Sequence, residues 1–128
     1  MPVLIDTTVL IDVLRGAPAA ERVLGMRMSE LPYVCAINVE EVWRGLRPSE
    51  LEDAARLVDA LPLARLGHAE ARRAGAWRRH HAAKGVTLSQ ADCLVAAAAL
   101  GVGARLATGN PKDFPMEELD VEHWLVGA

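Results

Sequence analysis

Short, uninterrupted apolar runs that end on or beside a carboxylate set the terms for this chain. Val3-Leu4-Ile5 runs into Asp6, and Asp92 opens the run Cys93–Leu100. Glu41 follows the stretch Tyr33–Val39, and Asp113 lies in Thr108-Gly109-Asn110-Pro111-Lys112-Asp113-Phe114. A few apolar residues in a row, with no polar alternation, are the pattern of a strand buried on both faces, as in a parallel sheet. Carboxylates are rarely buried unless they are paired or bound to a metal. Acids placed at several element ends therefore point to one shared hard-cation site.

The rest of the chain supplies helices between such strands. Thr7 or Thr8 is expected to cap a helix through about Arg15, stopped by Gly16, and Pro18 to restart one to around Met28. Tyr33–Ala36 reads as a second strand, followed by a helix from an Asn38 cap to about Leu46. Ser49-Glu50-Leu51-Glu52 has the form of a capping box opening a helix to about Leu61. Pro62–Leu66 reads as a short strand, and His68 to Lys84 as a helix with Gly85 just past its end. Ser89 is placed to cap a helix to Leu100, closed by Gly101-Val102-Gly103. Arg105–Thr108 and Val121–Val126 read as further strands. Strands separated by helices give an α/β layered sheet, parallel in the main.

Length and composition narrow the function classes. The chain has 128 residues, enough for one domain with a real core, and no repeat, low-complexity tract or linker interrupts it. Net charge is −3, which argues against indiscriminate electrostatic binding to nucleic acid but leaves room for a local basic face. Cys35 and Cys93 lie in apolar company and read as buried thiols of a reducing cytosol. No His/Cys set has zinc-ligand spacing. No signal peptide and no membrane-length apolar run is evident, so a cytoplasmic location is expected.

Each acid has an ordinary structural role to weigh against a catalytic one. With helix starts at Asn38 and Ser89, Glu41 and Asp92 fall at the N3 position, where acids serve as capping partners. Asp6 is suited to an Asx-turn with Thr8, and Asn110-Pro111 to a plain turn. Asp12 and Glu40 read as solvated, and Trp43 as a core aromatic. Taken together, acids at strand ends and helix starts meet if those ends share one sheet edge, where α/β folds bind ligands. All-oxygen ligation suits Mg²⁺ or Mn²⁺, which can orient a water against a phosphodiester. No nucleophilic Ser or Cys with a partnered base competes with that mechanism. The segment from Ala71 to Ala91 adds Arg72, Arg73, Arg78, Arg79, Lys84, His80 and His81 without one acid. Such a helix is either a solvated face or a holder of neighbouring phosphates.

At this point the motifs match a family. Leu4-Ile5-Asp6-Thr7-Thr8-Val9-Leu10-Ile11-Asp12 resembles the opening motif of PIN-domain proteins, and Asn38-Val39-Glu40-Glu41-Val42-Trp43-Arg44-Gly45 their second. Gln90-Ala91-Asp92-Cys93-Leu94-Val95-Ala96-Ala97 is similar to the third, and Ala107-Thr108-Gly109-Asn110-Pro111-Lys112-Asp113-Phe114 to the last. The set resembles the VapC-type toxins of bacterial toxin–antitoxin pairs in particular. That resemblance implies a PIN-like three-layer α/β/α sandwich with a mainly parallel sheet, and a Mg²⁺-dependent endoribonuclease. It also implies a homodimer and inhibition by a VapB-type antitoxin. Carried over by position, Asp6, Asp92 and Glu41 would be the metal acids, with Asn110 and Asp113 competing for the fourth place. Asn38 stands where the family usually has Thr. Two other readings stay open: a PIN-like module that only docks RNA or protein, and a phosphatase with a first-strand Asp nucleophile. The second needs an Asp two residues after Asp6, where Thr8 stands, and a downstream Lys that is missing.

Overall fold

The protein, analysed as a computed structural model, is described over residues 1–16, 22–23, 25–26, 30 and 32–127. Its strands are β1 (Val3–Ile5), β2 (Val34–Cys35), β3 (Leu63–Ala64), β4 (Arg105–Thr108) and β5 (Val121–His123). Its helices are α1 (Thr7–Leu14), α2 (Ala36–Gly45), α3 (Leu51–Asp59), α4 (His68–Ala82) and α5 (Gln90–Gly101), with 3₁₀ turns at Pro48–Glu50 and Pro111–Asp113.

All strand pairs are parallel: β1 with β4, β4 with β5, and β2 with β3. Tyr33, just before β2, bridges Leu4 through Ile5 N–H to Tyr33 C=O (3.0 Å) and Tyr33 N–H to Val3 C=O (2.7 Å). The strands thus lie in the order β3-β2-β1-β4-β5. Sequence order runs outward from β1 to β3 and then returns to its other side, so the topology reverses between β1 and β4. Crossovers to parallel strands are almost always right-handed, so the reversal sends the connecting helices to opposite faces.

Strand alternation then sorts the core. Val3, Ile5, Val34 and Ala107 face α1, α2 and α3 through Val9, Leu10, Val42 and Val58, with Trp124 completing that side. Leu4, Cys35, Ala64 and Leu106 face α4 and α5. A period of two places successive residues in opposite layers, which is why a continuous apolar run was needed. The run Val95–Ala99 is buried throughout, so α5 is apolar on every side and lies between the sheet and α4. The expected α/β/α layering with a parallel sheet is therefore present.

Local boundaries differ from expectation in ways that have physical causes. Asp6, not Thr7 or Thr8, occupies the N-cap of α1, and its side chain caps nothing there. The second helix begins at Ala36 with Cys35 as N-cap, so Asn38 is its third residue rather than its cap. The Asn38 side chain reaches back to accept the Cys35 N–H at 3.0 Å, a capping box in which amide replaces carboxylate. Glu41 consequently lies in the second turn and has no capping duty. Ser49 sits inside a 3₁₀ turn, and Glu50 instead accepts the Arg47 N–H at 3.0 Å. The helix expected from Pro18 to Met28 falls mostly outside the described residues.

Two surface assignments are also corrected. Asp12 is buried rather than solvated and accepts the Gly127 N–H at 2.9 Å. Trp43 is 37% exposed, so it is not a core aromatic. Its place near the C-terminal end of α2 turns it away from the sheet.

Candidate active site

The edge where strand order reverses is the edge where an α/β sheet leaves a crevice, because flanking loops diverge there. Asp6 follows β1 and Thr108 ends β4, so both project from that crevice on adjacent strands. Backbone pairing holds them in register: Asp6 N–H donates to Ala107 C=O at 2.9 Å. The Thr108 hydroxyl donates to Asp6 Oδ2 at 2.8 Å, and the Asn38 amide lies 3.4 Å from Asp6 Oδ1.

Asn38 is fully buried and works at both ends of its side chain. While Oδ1 caps α2, Nδ2 also donates to Thr7 Oγ1 at 3.1 Å, and that hydroxyl donates to Glu41 Oε1 at 2.6 Å. The start of α2 and the start of α1 are therefore fastened to each other beside Asp6. From the opposite layer, Ser89 Oγ accepts the Asp92 N–H at 3.0 Å, so α5 begins under a side-chain cap as expected. Asp92 is half-buried at that helix start.

Electrostatic causes link several of the acids to one another. Burial pushes the Asp6 carboxyl up; the Thr108 hydroxyl and the Thr7 backbone pull it down, and the charges of Asp92 and Glu41 push it up again. Burial also raises Asp92, opposed by Ser89 and reinforced by Asp113 and Glu41. Asp6, Glu41 and Asp92 are thus within charge reach of one another, and Asp113 is within reach of Asp92. Among the described residues, no three His, Cys, Asp or Glu side chains come close enough to enclose an ion. The hydrogen bonds explain part of this: Asp6 and Glu41 are each held by neutral donors.

The two candidates for the fourth place sit differently. Asp113 closes the 3₁₀ turn after β4 and faces Asp92 by charge. Asn110 caps that turn, its backbone N–H donating to Thr108 Oγ1 at 3.1 Å, and its residue is exposed. Asp113 is exposed as well, and of the two only Asp113 bears on Asp92 by charge. Neither threonine was expected at the site from sequence: Thr7 stood only as a candidate helix cap, and Thr108 only within the last motif and its strand.

The basic helix does not behave as one patch. Arg78 Nε donates to Leu88 C=O at 3.2 Å, just before the Ser89 cap. Arg72, Arg73 and Lys84 instead line a groove on the other flank of α4, and Arg79 is exposed outside it.

Comparison with known proteins bears on this arrangement. The family model described as PIN domain matches residues 3–119. The chain is 33% identical over 115 residues to Ribonuclease VapC19 of Mycobacterium tuberculosis, covering 88% of this chain and 92% of that protein. It is 32% identical over 117 residues to Ribonuclease VapC10 of the same organism, covering 91% and 88%. Among solved structures, a chain of VapBC2 from Rickettsia felis bound to a promoter DNA fragment superposes with a TM-score of 0.85 at 18% identity. That match covers 97% of this chain and 99% of the other. A chain of DNA-bound VapBC from Salmonella typhimurium gives 0.84 at 20% identity, covering 97% and 98%.

Proposed function

The chain belongs to the PIN-domain family, and on that premise we propose that it is a divalent-metal-dependent endoribonuclease, the toxin of a toxin–antitoxin pair. One observation carries the reading: the charges of Asp92 and Glu41 bear on Asp6, and those of Asp113 and Glu41 on Asp92, which links acids from four segments in one chain of repulsion. A fold gains nothing from such a cluster unless a cation offsets it. The ribonuclease names of the 33% and 32% identical relatives support RNA as the substrate. The toxin–antitoxin complexes among its structural neighbours support an antitoxin of the VapB type as partner. A homodimer and a cytoplasmic location complete the proposal; among the described residues no helix is long and apolar enough to cross a membrane.

The donor set suits the ion. Asp6, Asp92, Glu41 and Asp113 offer only oxygen, which favours Mg²⁺ or Mn²⁺ over zinc or copper. When bound, such a cation supplies charge to offset a developing phosphorane-like oxygen and acidity to an attacking water. The protein's own contribution is placement. Thr108 and Asn38 fix the Asp6 carboxylate, Ser89 fixes the helix start that carries Asp92, and Thr7 holds Glu41. The Thr7–Glu41 bond is worth about 1.5–3 kcal/mol, small beside the attraction of a divalent ion for a carboxylate. Turning Glu41 toward the others would therefore cost little beside what a bound ion returns.

The deciding experiment is to incubate purified protein with total RNA, with Mg²⁺, with Mn²⁺ and with EDTA, and to map the new ends. Metal-dependent internal cleavage, lost in Asp6→Asn, is the expected result. Cleavage that persists in Asp6→Asn would overturn the site. Intact RNA in every arm, with no metal binding by calorimetry, would favour a docking module instead.

A further inference from the structure

Helix α4 borders a groove of about 750 Å³ whose other wall is the segment following Asp113. Arg72, Arg73, His80 and Lys84 stand on the helix side, and Pro115, Glu117 and Glu118 on the other. Arg72 to Lys84 spans roughly 18 Å at the rise of an α-helix. Pro115 is separated from Asp113 only by Phe114, so the groove leads away from the acidic site.

The cations lining this groove, like several other surface arginines, hold no carboxylate in an ion pair among the described residues. Arg22, Arg44, Arg56 and Arg105 each hold a carboxylate. Among the described residues, Arg72, Arg73 and Lys84 have no ion-pair partner, and Arg73 lies 5.9 Å over the Trp77 ring. Glu118 is occupied: it accepts the Trp77 indole N–H at 2.8 Å, and this bond, with the charges of Arg73 and His80, holds its carboxyl below the usual range. Glu117 is exposed on the facing wall with no such bond.

We propose that this groove carries the single-stranded RNA flank of the scissile bond, with phosphates on Arg72, Arg73 and Lys84 and a base edge against Glu117. The inference rests on the ribonuclease reading above. A duplex offers proteins a convex, shallow surface, whereas an open concave groove admits a splayed single strand. Cations spaced along one wall track a backbone. A carboxylate opposite them repels phosphate but accepts from an exocyclic base amine, so its presence fits a strand lying with its bases turned to that wall. A site built only for anions has no use for Glu117.

Binding of a fluorescent single-stranded oligoribonucleotide to Asp6→Asn protein, across a salt series, tests this without cleavage. Adding R72A and K84A together weakens binding about tenfold or more at low salt and lowers the slope of log affinity on log salt by about 1.4, two contacts at about 0.7 each. E117Q changes the preference among homopolymeric probes and leaves the salt slope alone. R44A/R56A, on another face, leaves both unchanged, and thermal melts confirm that each variant folds. An unchanged affinity and slope in R72A/K84A overturns the groove. So does equal loss of a duplex probe, or retained RNA binding with loss of a bound protein partner. In the otherwise wild-type chain, R72A/K84A should raise the KM for RNA. If wild-type protein cleaves and R72A/K84A cleaves with unchanged KM, the groove alone fails; if wild-type protein cleaves nothing, the ribonuclease reading fails first.

Discussion

Asp6 concentrates the conflict between stability and function in this protein. It is 8% exposed, is a carboxylic acid, and shares its surroundings with two other acids, Asp92 and Glu41. Its carboxyl is shifted upward in the fold, as is that of Asp92, from an ordinary value of 3.8. A carboxyl raised in the folded state binds its proton more tightly there than in the unfolded chain. Stability therefore falls as pH rises from about 3.8 through the raised values, and the penalty is full at neutral pH. Asp6→Asn should accordingly raise the melting temperature at pH 7, by about 2–8 °C for each kcal/mol relieved, while lowering RNA cleavage by about 100-fold or more. Thermal melts at pH 4 and pH 7 check the sign, because the gain shrinks at the lower pH. Asn38 gives a complementary case. Asn38→Asp keeps an acceptor for Cys35 N–H but sets a second carboxylate where the amide now lies 3.4 Å from Asp6. It should destabilise the protein at pH 7 and recover on acidification, whereas Asn38→Ala should cost about 1–3 kcal/mol at either pH. Chemical denaturation at the two pH values separates them.

At the level of elements, the site depends on how helix starts and strand ends are tied. The Ser89 cap was legible from sequence, because a small hydroxyl residue before an apolar helix has few other uses. Ser89→Ala should cost about 0.5–2 kcal/mol and loosen the turn carrying Asp92, seen as a lower denaturation midpoint. The Asn38 role was half legible: the residue type marks a helix start, but the side chain caps backward from the third position. Only the position of Cys35 at the end of β2 shows which way it reaches. The C-terminal segment adds a contact no local pattern announces. A Cβ on Gly109 would come within 2.6 Å of Val126 Cγ2 and 3.2 Å of Thr8 Oγ1. Gly109→Ala should lower the melting temperature, and adding Val126→Ala should restore most of the loss, since the clash is with a side-chain tip in an exposed tail. A double-mutant cycle reads the coupling.

For the whole molecule, the parallel sheet places β1 beside β4, and everything proposed for function follows from that neighbour relation. A cation held by acids from four segments would tie both helical layers to the sheet at once. Mn²⁺ at a hundredfold its dissociation constant should therefore raise unfolding free energy by about 2.7 kcal/mol, and the rise should vanish in Asp6→Asn. Calorimetric titration gives the constant and thermal melts the shift; an unchanged melting temperature in wild-type protein would falsify the four-acid metal site.

Local sequence was enough for the identity of most elements. Short apolar runs bounded by turn residues read as buried strands, the longer run Cys93–Leu100 as a buried helix, and Gly, Pro and Ser mark where helices stop and start, because these constraints act within a few bonds. It was also enough to nominate Asp6, Glu41, Asp92 and Asp113, since a carboxylate against an apolar run is costly wherever it ends up. What the chain could not show locally was which side of each element its neighbours occupy. Burial of Asp12, exposure of Trp43, the charge reach of Asp113 to Asp92 and the splitting of the basic helix into two flanks all depend on contacts between distant segments. Those contacts are set when the sheet reverses its order between β1 and β4, a free-energy decision of the whole core that no short stretch of residues records.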